Sequence, residues 1–377
     1  MKITNMETFH VPPRWMFLKI STDEGIVGWG EPVIEGRAKT VEEAIEELKP
    51  VLIGADPTRI EHLWQTMYCT TFYRGGPILT ACISGIEQAL WDIKGKMLGV
   101  PVYELLGGRC RDKVRMYAHA GGSTPEECAE SAKARVAQGF NAIKMGVDAP
   151  VEHVDTLGYI KRNAKKIAAA REAVGDDVDI GIDFHGRIHA GMASRLIDAF
   201  EPYYPMFIEE PLLPENVDMM AYIAAKTSVP IATGERLFTK FAFREVLEKH
   251  AATVLQPDIC HCGGIFEAKK IAAMAEAYHC SVAPHNPLGP ISLAACIQAD
   301  ACIPNFLIQE HPGMEDGRDL GVGYLKEPIV IRDSYVELTD KPGLGIEVDE
   351  EFVRAHTFEG NWDTPRLFHV DGSVAQW

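Results

Sequence analysis

The stretch GIDFHGRIHA, Gly181 to Ala190, sets Asp183 and His185 two residues apart after the apolar run Val178 to Ile182. More ionisable groups recur downstream at Glu209, Glu235, Asp258, His285 and Glu310, and Lys144 lies upstream. From Asp183 onward the intervals are all about 25 residues, the length of one strand–helix unit in an alternating α/β chain. Each group ends a short apolar segment, so all of them come to one rim. Asp183, Glu209 and Glu235 close three consecutive segments. Such carboxylates repel one another unless a cation offsets them. An all-oxygen set suits Mg²⁺, with Mn²⁺ also suited, and does not suit zinc, which prefers nitrogen and sulfur. Spacing leaves open which of Glu209 and Glu210 faces inward. On an extended backbone His185 points the same way as Asp183 and so stands beside the metal. His285 lies on the other side, and Asp258 on the adjacent strand can hydrogen-bond its far nitrogen and raise its basicity. Two proton-transfer groups around a hard Lewis acid suit abstraction of the proton α to a carboxylate. The metal stabilises the enediolate, and loss of a β-hydroxyl can follow.

The elements that must position these groups follow from the same periodicity. Strands are expected at Val114–Ala118, Asn141–Met145, Val178–Ile182, Met206–Ile208, Pro230–Ala232, Thr253–Gln256, Cys280–Ala283 and Asn305–Gln309. Helical patterns lie between them at 126–137, 159–173, 191–200, 215–226, 239–249, 266–277 and 291–301. Eight strands alternating with helices predict an α/β fold closed into a barrel, with catalytic groups on the C-terminal rim. A doubly wound open sheet usually brings a glycine-rich phosphate loop, and neither GxGxxG nor GxxxxGK[ST] occurs. Residues 1–112 read differently, as an α+β block. A hairpin is expected across Met16–Ile20 and Ile26–Gly30, with helices at 38–53, 57–70 and 78–98. The barrel then spans 113–325. The segment 326–377 returns to strand-and-turn text and is expected to pack back on the first block.

Composition narrows the partners. A net charge of −17 over 377 residues excludes a chain built to track nucleic acid or an anionic membrane surface. The nine cysteines form no CxxC pair, and several sit in apolar runs and read as buried thiols in a reducing compartment. Cys260-His261-Cys262 alone invites a metal reading, but no second soft pair stands at zinc spacing. It reads instead as a loop ahead of Gly263-Gly264. The opening MKITNMETFHVPP lacks an apolar signal core, and no apolar run could span a bilayer, so a soluble cytoplasmic protein is expected. His189 reads as loop, and His10, His62, His119, His261 and His279 as ordinary core or surface residues.

DFHGR (183–187), FIEEP (207–211), ATGER (232–236), LQPDICHCGGI (255–265), APHNPLGPI (283–291) and PGLGIEVDE (342–350) resemble the enolase superfamily, mandelate racemase subgroup, and within it the D-galactonate dehydratases. The likeness covers essentially the whole chain. RWMFLKI, GWGEPVIEG, FYRGGP and ALWDIKGK correspond to its capping domain, and the middle to its (β/α)7β modified TIM barrel. The resemblance implies Mg²⁺ ligands at Asp183, Glu209 and Glu235, choosing Glu209 over Glu210. It implies His285 as the base at C2, supported by Asp258, and His185 as the acid that assists loss of the C3 hydroxyl. Glu310 would bond near the substrate carboxylate or enediolate. The implied reaction is D-galactonate to 2-dehydro-3-deoxy-D-galactonate plus water, and members of the family commonly assemble as homo-oligomers.

Some positions depart from the pattern. Many members of the subgroup carry Lys-x-Lys where this chain has Lys144-Met145-Gly146, which disfavours racemisation through a second lysine. Galactonate dehydratases carry a polar residue at the Gly146 position and a cysteine at the Asn286 position, and the loop from 146 to about 154 is short here. Substrate contacts are expected from Lys144 and from the first block through Arg14, Trp15, Tyr73 and Arg74. The alternatives are a dehydratase for another aldonate or aldarate, a racemase or epimerase using the two histidines, and a silent binding protein.

Overall fold

The computed structural model describes residues 1–313, 317–359 and 362–377. Three antiparallel strands open the chain: β1 (Ile3–Val11), β2 (Trp15–Thr22) and β3 (Val27–Gly30). Helices α1 (Ala38–Leu52), α2 (Ile60–Cys69) and α3 (Pro77–Leu98) follow, then the short α4 (Val102–Leu105). The α3 helix starts on a proline and stops at Gly99, whose φ of 71° is a left-handed helix cap. Gly28 and Gly30 let β3 lie directly on α3. A Cβ on either would come within 2.1 or 1.9 Å of a carbonyl oxygen of Ala89 or Gly85. That contact helps bury α3 through most of its length.

The barrel alternates β4 (Lys113–His119), α5 (Pro125–Ala137), β5 (Ala142–Gly146), α6 (Leu157–Val174), β6 (Asp179–Asp183), α7 (Ala190–Phe200), β7 (Phe207–Glu209) and α8 (Val217–Ala224). It continues through β8 (Ile231–Thr233), α9 (Thr239–Glu248), β9 (Val254–Leu255), α10 (Ile265–Ala277), β10 (Ser281–Val282), α11 (Pro290–Cys302) and β11 (Gln309–Glu310). All eight expected strands are present. Neighbours pair in parallel from β4 to β10, and β11 pairs with β4. The ring closes where Val282 donates to the Asn305 carbonyl and Leu307 to the Val282 carbonyl, at 2.9 and 2.7 Å. Inside, Tyr117, Phe207 and Ile308 interleave with Ala142, Ala232 and Ala283. Gly181 makes room for Phe207, whose ring would stand 2.8 Å from a Cβ there. The interior is thus a packed core, and the rim carries the chemistry.

Beyond β11 run β12 (Asp319–Leu320), its antiparallel partner β13 (Ile329–Val330), β14 (Tyr335–Glu337), α12 (Glu350–Ala355), and the paired β15 (Leu367–Phe368) and β16 (Val374–Ala375). This segment divides between two bodies. β14 lies antiparallel to the start of β4, from Lys113 to Arg115. The β4 edge is open there because β11 reaches only Met116 and Tyr117. The stretch after it packs on the first block. Gly343 exchanges backbone bonds with the α3–α4 region, Leu344 donates to Asp92, and Lys19 pairs with Glu350 at 2.7 Å. Among the described residues, no helix is long and apolar enough to cross a membrane.

Candidate active site

The rim groups come from consecutive strands. Asp183, the last residue of β6, stands in register with Gly146 on one side and Glu209 on the other. Lys144, on β5, is buried with its ammonium 2.6 Å from Glu310, 2.9 Å from Glu209 and 3.7 Å from Asp183. Burial alone would discharge it, but Glu209 and Glu310 hold its pKa well above the ordinary lysine value. Glu209 also accepts from the Gln256 side chain at 2.8 Å. Its neighbour Glu210 turns to Arg236, 2.8 Å away, so the two adjacent acids serve different cations.

Glu235 lies just past β8, between two imidazoles. His285 Nε2 is 3.3 Å from one of its oxygens and His185 Nε2 is 4.0 Å from the other. His285 Nδ1 lies 2.8 Å from Asp258, and Asp258 also accepts the Cys260 N–H at 2.7 Å. His185 is not held as strand alternation predicts. β6 ends at Asp183, and His185 has φ 56°, in the left-handed region. Its N–H donates to the Asp183 carboxylate at 2.6 Å, so a side-chain-capped turn brings the pair together. Arg187 meets its Nδ1, and Arg236 donates to its carbonyl at 2.5 Å. Burial holds the His185 pKa below the ordinary histidine value.

Lys144, Asp183, His185, Glu235, His285 and Glu310 line a cavity of about 760 Å³ between rim and cap, with Glu209 and Asp258 buried behind them. Arg14 lines it and donates to the Pro287 carbonyl at 3.1 Å. Other proposed contacts lie elsewhere. Trp15 is buried in the cap against Phe17 and Tyr324. Tyr73 is 82% exposed, and Arg74 donates to Cys69 within its own loop. That loop bonds to itself, the Thr71 hydroxyl donating to the Tyr73 carbonyl, and Pro77 just after it lines the cavity. Gly146 leaves its corner open, with only the Asp183 carbonyl 3.9 Å from where a Cβ would be. Asn286 is buried. It accepts from the Ser292 hydroxyl, and its N–H donates to Glu310 at 2.8 Å.

Two histidines read as ordinary belong to this cavity. His119 ends β4 and lies 3.3 Å from Glu310; the rule that selects strand ends applies to it once the strand is extended by one residue. His261 lines the wall, with Nδ1 3.4 Å from Asp258 and Nε2 donating to the Val33 carbonyl. Asp258, His261 and His285 bring one potential ligand atom each within 4.8 Å of one another. Both Asp258 oxygens are already engaged, by Cys260 and by His285, which suits a group that orients an imidazole. Cys260 and Cys262 are buried, and Gly264 opens α10, where a Cβ would strike Glu87 at 2.2 Å. Trp377 also lines the cavity, with no periodic signal to reveal it.

The charges test whether a hard cation suits Asp183, Glu209 and Glu235. Burial pushes the Glu209 carboxyl up to about 8; Lys144 opposes this, and Asp183, Glu310 and Glu235 add to it. Against burial, Glu235, Glu310 and Asp258 hold the His285 imidazole well above its ordinary pKa. An imidazole that takes a proton must be neutral. Three carboxylates match Mg²⁺, and a divalent cation held among them would favour an ionised Glu209 and a neutral His285.

A closed barrel with acids and paired imidazoles on its C-terminal rim, under an α+β cap, defines a class of enzymes that abstract a proton beside a carboxylate. The model of the mandelate racemase / muconate lactonizing enzyme N-terminal domain matches residues 3–107, and that of the enolase C-terminal domain-like family matches 127–352. The chain belongs to the enolase superfamily, in the mandelate racemase subgroup. It is 50% identical over 383 residues to a D-galactonate dehydratase of Ralstonia pickettii and 50% identical over 382 residues to one of Variovorax paradoxus, covering 100% of each chain. Among solved structures it resembles an enolase from Agrobacterium radiobacter bound to Na and L-malate, at 34% identity, TM-score 0.92 and 100% coverage of both chains. It also resembles a mandelate racemase/muconate lactonizing enzyme from Jannaschia sp. CCS1, at 34% identity, TM-score 0.89, and 96% and 99% coverage.

Proposed function

We propose that this chain is a Mg²⁺-dependent hydro-lyase that converts D-galactonate to 2-dehydro-3-deoxy-D-galactonate and water. The observation that carries the chemistry is the pair of imidazoles on one carboxylate, His285 at 3.3 Å and His185 at 4.0 Å from Glu235. The substrate follows from the full-length likeness to curated D-galactonate dehydratases.

Asp183, Glu209 and Glu235 would hold the divalent cation, which when bound supplies Lewis-acid stabilisation of negative charge on the substrate carboxylate. His285, its Nδ1 facing Asp258, presents Nε2 to the C2 proton and takes it. His185 gives a proton to the departing C3 hydroxyl, so the bond breaks with loss of neutral water. The resulting enol tautomerises to the 2-keto acid. Lys144 places an ammonium beside Glu310, where the carboxylate end of the substrate can be oriented.

An endpoint assay for 2-keto-3-deoxy acids, across aldonates and aldarates, with Mg²⁺ and with EDTA, tests this reading. D-Galactonate should turn over with Mg²⁺ and not with EDTA. Turnover of a different acid sugar alone would keep the mechanism and move the substrate. Solvent deuterium in recovered substrate of inverted configuration, with no keto acid, would replace the dehydratase by a racemase.

A further inference from the structure

The segment after residue 361 does more than finish the cap. The β15–β16 hairpin docks on the barrel. His369 lies 3.2 Å from Glu152, and the His153 ring lies between those of His189, tilted at 52° with centroids 4.1 Å apart, and His369, stacked at 5.3 Å. This carries Trp377 to the cavity wall, where its indole meets the His185 ring edge-on, 5.1 Å between centroids at 68°. Trp377 packs in turn on Trp362 at 5.2 Å, and the Arg14 guanidinium lies over the Trp362 ring at 4.6 Å. Arg14 bonds to the carbonyl of Pro287, two residues past His285. A line of contacts therefore runs from the His185 imidazole through Trp377, Trp362 and Arg14 to the backbone two residues past His285.

His185 needs such support. It lies beyond the last strand pair, on a turn, and strand pairing does not set its ring. Arg187 engages one nitrogen, and the other faces Glu235 from 4.0 Å. An edge-on aromatic contact restricts the remaining ring rotation and keeps bulk water off that face.

We infer that Trp377 is a positioning residue for the dehydration step, holding the His185 imidazole in line with the departing hydroxyl. This rests on His185 being the acid. The test uses the full chain with D-galactonate and Mg²⁺, comparing Trp377→Ala, Trp377→Phe and His185→Asn. Two quantities are read: kcat and KM for keto-acid formation, and deuterium entering C2 of recovered substrate in D₂O, which reports His285. Trp377→Ala should lower kcat about ten- to one-hundredfold, the scale of a misplacement of about 1 Å, with KM within about threefold. C2 exchange should persist, and Trp377→Phe should restore most of the loss. Wild-type kcat in Trp377→Ala, beside an inactive His185→Asn, would overturn the inference and leave the acid assignment standing. Equal loss of kcat and exchange would also overturn it, because Trp377 would then only support the fold. Full dehydration by His185→Asn would instead overturn the acid assignment itself, and this inference with it.

Discussion

The two imidazoles at the rim are built from different kinds of structure. His285 follows β10 closely, its side chain is 12% exposed, and its partner Asp258 is fixed by a backbone N–H of the same barrel. His185 stands on a left-handed turn, its side chain is 28% exposed, and it leans on Arg187, Arg236 and an indole from residue 377. A barrel strand fixes where a side chain starts. The direction in which a ring points needs a second body. On the His285 side that body is the adjacent strand end, and on the His185 side it is a distant hairpin.

If the comparison holds, removing each ring has a different consequence. His285→Asn should abolish keto-acid formation and C2 exchange together, by about a thousandfold or more, in an assay coupled to proton exchange in D₂O. His185→Asn should abolish keto-acid formation and leave C2 exchange. Exchange surviving in His285→Asn would break the comparison at its root. A smaller effect sharpens it: Asp258→Asn removes the carboxylate behind His285, and should slow C2 exchange and dehydration together by about ten- to one-hundredfold. If only dehydration slowed, Asp258 would belong to the other side of the site. The smallest effect is a control far from both rings. Thr124 and Glu127 form a reciprocal cap on α5. Thr124→Ala should cost about 1 kcal/mol in denaturant unfolding and leave the ratio of exchange to dehydration unchanged.

These two sides also differ in how they were written in the chain. Asp183, Glu209, Asp258, His285 and Glu310 announce themselves by a period of about 25 residues, because each βα unit returns to the same rim. That period also revealed all eight strands and seven intervening helices. It could not show the turn at His185, since a residue at positive φ follows neither strand nor helix spacing. His119 escaped because the first barrel strand runs one residue longer than its apolar run suggests. The cap loops were the obvious place to look for substrate contacts, yet Tyr73 and Arg74 bond within their own loop. Trp362 and Trp377 lie in exposed, irregular text whose meaning depends on where the hairpin docks.

Closure of the barrel has a consequence for how the enzyme is made. Gln309 pairs with Met116, so the last strand of the ring is laid against the first. Until β11 is synthesised, β4 and β10 both expose an open edge, and Glu310 is missing from beside Lys144. Contacts so distant along the chain form late and slowly, and unpaired edges invite association in the meantime. A nascent chain stopped before residue 305 would therefore carry both histidines and the three acids proposed to hold Mg²⁺, and still lack a closed rim. Competence to bind and turn over substrate should arrive in a single late step of biosynthesis.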